Sequence, residues 1–416
     1  MILKTTRNIR VTVLSGPKAA SVFFNHKNLS LDRGYMMMIP ENVDWRDVEG
    51  MPSTPNGIDL ASFYSRFKLV LGPEKLEQRS FSVLRNIDKF YQKMGEHGTI
   101  DLFHAHHDLV LQLLMRNTFP DEIADDERIV GYVDGLYNAI DSPGMARLPI
   151  YNRLRKYFYG FKLYRALDEI LKNWQEEKSG EETNSIKVLL DRGDGIEGII
   201  SFAIGATYAG LLNTSRLISW VVVHLTVYPE WRMKVLGEIR ELLNKYNATP
   251  ETLDRIPFRA WDTDLPLLDM TANEILRSHG HGVLLRQNIG EAFDIDGCMI
   301  SKNACVVYPM HDVHHNPRLY GPTPQAFSPG RIESMGDEKQ LNFVAWGSGR
   351  HPCTGRHMAQ LIYRQVLTHL LTRFECEVID KSQNPLQSLP VADHNSLHLS
   401  PPINTPIIMK YQVYDT

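Results

Sequence analysis

The amino-acid sequence predicts a mainly α-helical protein with a smaller β-rich part, and three observations support this fold class. Helical periodicity continues almost without interruption through about 57–280. Short apolar runs separated by Gly and Asp-Gly at about 281–310 predict strands and hairpins. Apolar residues at spacings of three and four at about 355–374 predict a further helical part. No linker or internal repeat divides the chain, so we predict one domain over 1–416.

The two ends of the chain supply the remaining β-rich pieces. Residues 1–30 begin with alternating β-branched side chains and pass through a Ser-Gly-Pro turn at 15–17 into a short helical run. Residues 376–413 are rich in proline and have the pattern of loops and strands. The β-rich part is therefore expected to combine segments that are far apart in the chain.

The composition excludes several classes of protein. The chain has 416 residues, 45 Lys plus Arg against 49 Asp plus Glu, a net charge of -4 and 43% hydrophobic residues, which is typical of a globular protein. No basic face is indicated, so nucleic acid is not an expected partner. Four cysteines are too few and too clustered for a disulfide-built secreted scaffold, and we expect them to be reduced: Cys298, Cys305, Cys353 and Cys376.

The hydropathy pattern of the sequence predicts no membrane anchor. The first thirty residues contain neither a run of about 18 apolar residues nor a signal-peptide core. The most apolar stretch, 199–228, is interrupted by glycines and by Asn213, Arg216 and His224. A long buried helix explains this stretch better than a membrane span, and the chain itself is expected to be soluble.

The segment 342–356, NFVAWGSGRHPCTGR, carries the clearest chemistry. A thiolate that ligates a metal must be held anionic, and the N-terminus of the helix after Cys353 supplies partial positive charge and N–H groups. Arg350 and His351 are candidates to meet carboxylates of a bound group. The alternative is a buried structural cysteine in a turn. Three glycines permit a tight loop and close approach of the backbone to a large flat group: Gly347, Gly349 and Gly355.

This segment resembles the haem-binding loop of the cytochromes P450, in which an aromatic residue, glycines and a basic residue precede the ligand cysteine and a further glycine follows it. Trp346 stands where that family usually has Phe, and His351 takes the basic position. The resemblance implies that Cys353 is the proximal thiolate ligand of a b-type haem, a ligand that favours O–O cleavage. It also implies the cytochrome P450 fold, with haem between a long central helix and the helix after the cysteine loop.

Two upstream motifs extend the resemblance. Glu274-Ile275-Leu276-Arg277 resembles the family's E-x-x-R, although a surface ion pair is the alternative. The segment 325–331 resembles P-x-x-F-x-P-x-R, and its Arg331 would join Glu274 and Arg277 in a buried structural network. Arg286 resembles the arginine that meets a haem propionate.

The long apolar helix resembles the family's A-G-x-[DE]-T-[TS] at 209–215. Ala209 and Gly210 would line the distal side of the haem, with Gly210 opening a groove for oxygen. In the family, the acid and the threonine of this motif together deliver protons. Leu212 replaces that acid here, and Asn213 replaces that threonine. The reaction type stays open because Thr214 or ordered water could relay protons instead.

A further resemblance concerns Tyr64-x-x-x-Lys68, which sits where the family has W-x-x-x-R contacting a propionate. Aromatic-x-x-x-basic is also a common helix pattern. Membrane-bound relatives begin with an anchor helix, a hinge, a first helix and a first strand, whereas this chain starts near the second strand. We therefore expect the strand at about 9–13 to lack a neighbour. The alternative is that residues 1–8 cap its edge.

The function implied by the resemblance is a haem-dependent monooxygenase that inserts one oxygen atom of O2 into a hydrophobic small molecule, such as a lipid, sterol, terpenoid or polyketide. Electrons would come from NADPH through a separate reductase. An acidic reductase would dock on a positive face that contains Arg350, Arg356 and Arg364. The family's usual location is the cytoplasmic face of the endoplasmic reticulum, so membrane association is compatible with the resemblance.

Two alternatives remain at this point. A haem-thiolate isomerase or dehydratase of a peroxide substrate needs neither a reductase nor a proton relay, which suits Leu212 and Asn213. A non-catalytic haem protein or an inactive truncated remnant would explain the missing front of the chain. Reductase-dependent turnover separates the monooxygenase from both.

Overall fold

The computed structural model describes most of the chain, and all structural statements concern the part that it describes. The described residues are 2–4, 10–36, 60–141, 149–177, 186–280, 282–295, 297–336, 342–380, 382–393, 398–403 and 406–414. The polar stretch at about 176–184, predicted as turn punctuation, falls largely outside these ranges.

Helices form the bulk of the described chain, which confirms the predicted fold class. The α-helices are α1 (Pro17–Asn25), α2 (Leu31–Met36), α3 (Leu60–Leu71), α4 (Pro73–Lys93), α5 (Leu102–Thr118), α6 (Asp121–Ala124), α7 (Glu127–Asp141), α8 (Pro149–Glu177), α9 (Lys187–Asp191), α10 (Ile196–Val227), α11 (Pro229–Tyr246), α12 (Ala260–Thr263), α13 (Pro266–His279), α14 (Met310–His314), α15 (Pro317–Tyr320) and α16 (Arg356–Arg373), with a 3-10 helix at Pro250–Arg255.

The strands form two small sheets and two hairpins. They are β1 (Ile2–Lys4), β2 (Arg10–Val13), β3 (Leu29–Ser30), β4 (His97–Asp101), β5 (Val283–Asn288), β6 (Phe293–Ile295), β7 (Cys298–Ile300), β8 (Cys305–Pro309), β9 (Gly347–Ser348), β10 (His351–Pro352), β11 (Phe374–Ile379) and β12 (Ile408–Val413). The larger sheet has the order β1-β2-β8-β5-β3, and β11-β12-β4 form a three-stranded sheet.

The first strands of the chain differ from the expectation of an unpaired edge. β1 pairs antiparallel with β2, with Leu3 opposite Val11. On its other side β2 pairs parallel with β8, with Val11 opposite Cys305. The prediction that the strand at about 9–13 lacks a neighbour is therefore wrong. The alternative, in which the residues before it cover its edge, describes the observed pairing.

Helix α10 is the centre of the helical part. Its sequence is predominantly apolar, so it is stable where other elements surround it. It packs against α5, α8, α13 and α16, and side chains such as Ile218 and Trp220 are completely buried. It is the one helix in the described chain that is long and apolar enough to cross a membrane, and 56% of its most apolar window is buried inside the protein. These contacts support its interpretation as a core helix.

Several helices begin where the sequence supplies a start signal. Proline occupies the first turn of α4, α11 and α13, where its missing N–H is no loss. Asp101 caps α5 by accepting hydrogen bonds from the backbone N–H groups of Phe103 and His104, at 3.2 and 3.4 Å. Helix α16 begins directly after Gly355, which places its N-terminus beside the cysteine loop.

Candidate active site

A cavity of about 260 Å³ lies between α10, α13, α16 and the loop that contains Cys353. Its walls are mostly apolar and include Phe63 and Phe67 of α3, and Ala209 and Gly210 of α10. Trp346 and the glycine-rich loop form the opposite wall. The structure therefore brings the predicted distal helix and the predicted cysteine loop to the same cavity.

The cysteine loop is a tight hairpin made of β9 and β10. Gly347 has a φ of 68°, and a Cβ atom there would lie 2.6 Å from the carbonyl oxygen of His351. The backbone N–H of Cys353 donates to the carbonyl of Trp346 at 2.7 Å, which closes the hairpin. Glycine at position 347 is thus required both by the left-handed backbone and by the close approach of the two strands.

Helix α1 supports the tip of this hairpin. Gly349 has a φ of 58°, and a Cβ atom there would lie 2.6 Å from the carbonyl oxygen of Phe24 and from the side chain of Asn25. The backbone N–H of Arg350 donates to the same Phe24 carbonyl at 3.0 Å. The larger sheet and the cysteine loop therefore meet at the end of α1.

Cys353 presents its thiol to the cavity. Its side chain is exposed, and it lines the cavity rather than the outer surface alone. Burial raises the pKa of the thiol, while the N–H groups of Gly355 and Arg356 and the guanidinium of Arg356 lower it. Those N–H groups belong to the start of α16, where helix termini favour an anion. A metal ligated here would stabilise the thiolate further.

The donor set around Cys353 fits haem better than a bare metal ion. Among the described residues no group of three or more His, Cys, Asp or Glu side chains is placed to hold a metal ion. A single thiolate cannot hold a free cation, whereas a macrocycle brings its own nitrogen ligands and needs only an axial partner. The mostly apolar walls on both sides suit a flat apolar ring. The predicted haem is thus consistent with the residues present.

A positively charged region adjoins this cavity. Arg286 is 2% exposed, and its Nη1 donates to the carbonyl of Leu285 at 2.8 Å. Burial lowers the pKa of His351, and the nearby charges of Arg286 and Arg350 lower it further. The Nδ1 atom of His351 is buried without a hydrogen-bond partner among the described residues. An acceptor such as a haem carboxylate would satisfy it.

The other residues predicted for this region lie less favourably. Tyr64 is close enough to Arg286 and Cys353 for both to act on its pKa, which burial raises. Lys68 is exposed and does not line the cavity, and Arg350 is exposed as well. A contact from either side chain to a group in the cavity stays a prediction.

The predicted E-x-x-R residues form a buried ion pair. Arg277 donates from Nε and Nη2 to the two carboxylate oxygens of Glu274, each at 2.8 Å, and both side chains are at most 1% exposed. The backbone N–H of Ser328 donates to the same carboxylate at 3.0 Å. Arg331 lies 3.5 Å from it and also binds the carbonyls of Tyr320 and Ala326. The structure brings these three charged residues together as the motifs indicated.

This network is connected to the cysteine loop through His314. Arg277 donates from Nη1 to the carbonyl of His314 at 2.7 Å. The Nε2 atom of His314 accepts the backbone N–H of Val344 at 3.1 Å, and its ring stacks on Phe343. Val344 is at the start of the loop that contains Cys353. Hydrogen bonds through His314 therefore connect the buried ion pair to the cysteine loop.

Helix α10 supplies the other wall of the cavity. A Cβ atom at Gly210 would lie 3.1 Å from Leu114 and 3.6 Å from Met358, so glycine lets α5 and α16 approach closely. Thr214 is 3% exposed and contributes to the cavity wall. The Oδ1 atom of Asn213 accepts the backbone N–H of Leu399 at 2.9 Å, a contact that the sequence did not reveal.

Several residues of the cavity wall were not predicted from the sequence. Phe63 and Phe67 are one helical turn apart on α3, a spacing that marks them as one face. His398 and Leu399 also line the cavity, and the His398 ring lies 3.2 Å from the Tyr208 hydroxyl. No local pattern marks His398, since it contacts a helix about 190 residues away in sequence.

The docking face predicted from arginines near the cysteine needs one correction. Arg364 is 3% exposed and binds the two oxygens of Asp269 at 2.9 and 2.7 Å and Asp262 at 2.5 Å. It faces the protein interior between α12, α13 and α16, because Arg364 lies on the buried face of α16. The prediction that Arg364 presents its charge to a partner is wrong, whereas Arg350 and Arg356 are exposed.

Comparison with known proteins agrees with this geometry. A family model described as Cytochrome P450 matches residues 82–402. The chain is similar to Cytochrome P450 monooxygenase AacuE of Aspergillus aculeatus, with 25% identity over 90% of this chain and 79% of the relative. It is also similar to Cytochrome P450 monooxygenase dmxR5 of Cryptosporiopsis sp., with 27% identity over 64% of this chain and 54% of the relative.

A human protein is also similar. Cytochrome P450 3A5 of Homo sapiens is 27% identical over 57% of this chain and 44% of the relative. The aligned part therefore spans about half of the length of two of these three relatives. The part of the chain that the family model matches includes Glu274, Arg331 and Cys353.

The first prediction concerns the buried ion pair. Glu274→Ala leaves Arg277 buried without its carboxylate, which should lower the free energy of unfolding by about 3–5 kcal/mol and reduce the yield of haem-loaded protein. Glu291→Ala is the control, because Glu291 is 91% exposed and, among the described residues, pairs with Lys302 at 3.3 Å; it should cost less than about 1 kcal/mol. Denaturant unfolding and haem content per protein measure both. A Glu274→Ala protein with normal haem content and no activity would instead make this residue catalytic.

The second prediction concerns stability against acid. Burial lowers the pKa of His106 and His314 to about 3 and that of His224 to about 4. Below about pH 6.5 the unfolded chain binds protons that the folded protein cannot, so stability falls as pH falls towards those values. Between pH 6.5 and 5 each histidine should cost about 2 kcal/mol.

His314→Asn tests this pH dependence, since it removes one of the three titrating groups. Urea unfolding midpoints at pH 7 and pH 5 should differ less in the variant than in the wild type. His104→Asn is the control, because His104 is exposed and should leave the difference unchanged. An equal loss of stability in wild type and His314→Asn would contradict the prediction.

Proposed function

The chain belongs to the cytochrome P450 family of haem-thiolate monooxygenases, and on that premise we propose that it inserts one oxygen atom of O2 into an uncharged, largely apolar small molecule. The observation that supports this most strongly is the thiol of Cys353 on the wall of an apolar cavity, with the N-terminus of α16 behind it. A single anionic sulfur donor of this kind suits an axial haem ligand.

The substrate class follows from the cavity wall. Among its described residues there is no Asp, Glu, Lys or Arg, and the polar side chains include Asn213, Thr214 and His398. An ionised substrate would lose its hydration here without gaining a partner of opposite charge, which costs several kcal/mol. Neutral lipids, sterols, terpenoids and polyketides carry no ionised group, so each of these classes is compatible with the cavity wall.

The proposed roles of the surrounding residues follow from their positions. Cys353 would hold the haem iron, while Arg286 and His351 would hold the carboxylates. Haem bound in this way supplies the activation of dioxygen, which no side chain can provide. Thr214, which contributes to the cavity wall, would hold or move a proton there through its hydroxyl. Leu212 has no proton to give, so water must complete any such path.

Electrons would come from NADPH through a separate reductase. Arg350 and Arg356 are exposed, and Arg356 lies over the Trp346 ring at 5.6 Å. Positive charge close to the thiolate would steer an acidic partner to the shortest path for electron transfer. We propose the cytoplasmic face of the endoplasmic reticulum as the place where the two proteins meet.

A second candidate function is the rearrangement or dehydration of a peroxide substrate. It is favoured by one observation: Asn213 uses its Oδ1 atom to hold Leu399, and Leu212 cannot donate a proton. A peroxide already contains the oxygen and the oxidising equivalents, so no reductase is required. Turnover that needs NADPH and reductase supports the monooxygenase, and turnover of a hydroperoxide without them supports the second function.

The third prediction concerns the axial ligand. The reduced carbon monoxide complex of the purified protein should absorb near the wavelength typical of thiolate ligation, because Cys353 donates a sulfur anion to the iron. Cys353→Ser should abolish that band, whereas Cys298→Ser should keep it, since Cys298 lies in the hairpin β6-β7. An unchanged spectrum in Cys353→Ser would show that another residue binds the iron.

The fourth prediction concerns the reductase. Arg356→Glu reverses a charge beside the cysteine loop, so it should lower reductase-driven turnover about tenfold at low salt, with a smaller difference at high salt. Arg128→Glu is the control, because Arg128 is 81% exposed on α7. Turnover driven by hydrogen peroxide should fall less in Arg356→Glu than reductase-driven turnover does, because it reports only the effect of the reversed charge on the Cys353 thiolate. Reductase-driven turnover that is indifferent to salt and to Arg356→Glu would remove the support for this face.

A further inference from the structure

Asn213 occupies an unusual place on α10. Its neighbours Leu212 and Thr214 are buried, but Asn213 itself is exposed because it faces the cavity. Its Oδ1 atom lies 2.9 Å from the backbone nitrogen of Leu399. A backbone N–H can only donate, so the atom that faces Leu399 must be the carboxamide oxygen and not the nitrogen.

The same face of α10 holds the segment that begins at Leu399. Arg216 donates from Nη1 to the carbonyl of Leu399 at 3.1 Å, and Trp220 donates from Nε1 to the carbonyl of Ser400 at 2.7 Å. The three side chains, Asn213 included, are spaced three and four residues apart, so they form one row along the helix. The segment is thus fixed against α10 at the Leu399 N–H and at the two carbonyls that follow it, and the carboxamide that binds this N–H is fixed as well.

We propose that Asn213 is a specificity-determining residue that donates a hydrogen bond to an acceptor oxygen of the substrate. With its oxygen committed to Leu399, the exposed remainder of the planar carboxamide is an NH2 group, which donates and has no lone pair to accept. The preferred substrates are uncharged apolar molecules that carry a carbonyl or ether oxygen. This inference rests on the proposed function, because it assigns a ligand to the same cavity.

The polarity of the wall explains why this donor discriminates between ligands. A ligand without an acceptor oxygen would fill the cavity, remove water from the NH2 group and leave it unpaired. A ligand with an oxygen at that point would satisfy it. We expect a donor that is buried by the ligand to change the ratio of the two ligands' affinities about tenfold. The ligand without an acceptor binds more weakly because the hydrogen bond is lost, and not because its shape differs.

Two substitutions distinguish the role of the carboxamide oxygen from that of the NH2 group. Asn213→Asp keeps an oxygen for the Leu399 N–H and replaces the donor by an acceptor. Asn213→Leu has a similar size and removes both. The probes are 1-tetralone and tetralin, which share one ring system and differ in the carbonyl group. Asn244→Asp is the control for added charge, because Asn244 is exposed on α11.

Affinities are measured on haem-loaded protein from the ligand-induced shift of the haem absorption band, at pH 9 so that an introduced Asp is ionised. The affinity ratio of ketone to hydrocarbon should fall about tenfold in Asn213→Asp and in Asn213→Leu, and stay unchanged in Asn244→Asp. Amide hydrogen exchange at Leu399 is the second readout. It should be slow in wild type and Asn213→Asp and faster in Asn213→Leu.

A ratio that agrees within twofold among wild type and both Asn213 variants would overturn the inference, as would the absence of any ketone-induced shift in the wild type. Equal exchange at Leu399 in all proteins would also overturn it, because the carboxamide would then be free to turn. A thiolate-type carbon monoxide spectrum with an unchanged ratio leaves the proposed function intact. Loss of that spectrum in the wild type would instead defeat the proposed function itself.

Discussion

The buried carboxylate of Glu274 is the constraint on which the rest of the site depends. Removed from water, it must be matched by Arg277, by a backbone N–H and by Arg331 nearby. Arg277 is then committed to the carbonyl of His314, and the His314 ring to the backbone of the cysteine loop. Each of these groups would be costly to leave unpaired. The network therefore holds the start of the loop that leads to Cys353.

The cavity combines this rigid support with weakly polar walls. Helix α10 is mostly apolar and packs into the core apart from its face towards the cavity, and Gly210 lets α5 and α16 pack closely against it. Polar side chains on the cavity wall are few and include Cys353, Thr214, His398 and Asn213, which holds Leu399. In the same loop as Cys353, the Nδ1 atom of His351 is buried without a hydrogen-bond partner among the described residues. In a protein of marginal stability an unsatisfied buried group is retained only at a cost. Its presence beside Cys353 therefore points to a bound acceptor.

The sequence predicted the parts of this arrangement that are local. Glu274 and Arg277 are three residues apart on one helix, and Gly347 and Gly349 mark a tight loop, so motif and spacing were sufficient. The predicted role of Arg364 was wrong because its charge neutralisation depends on Asp262 and Asp269, about 100 residues away. The contact between Asn213 and Leu399 spans 186 residues. Such pairings follow from how the chain folds back on α10, which no local periodicity encodes.

The central claim is that the buried network places Cys353 where its sulfur binds haem iron, and X-ray absorption at the iron edge of the purified protein tests it most directly. If Cys353 binds the iron, the first coordination shell of iron contains one sulfur atom and the ring nitrogens. The sulfur contribution should persist in Cys298→Ser and be absent in Cys353→Ser. A first shell made only of nitrogen and oxygen in the wild-type protein would contradict the account.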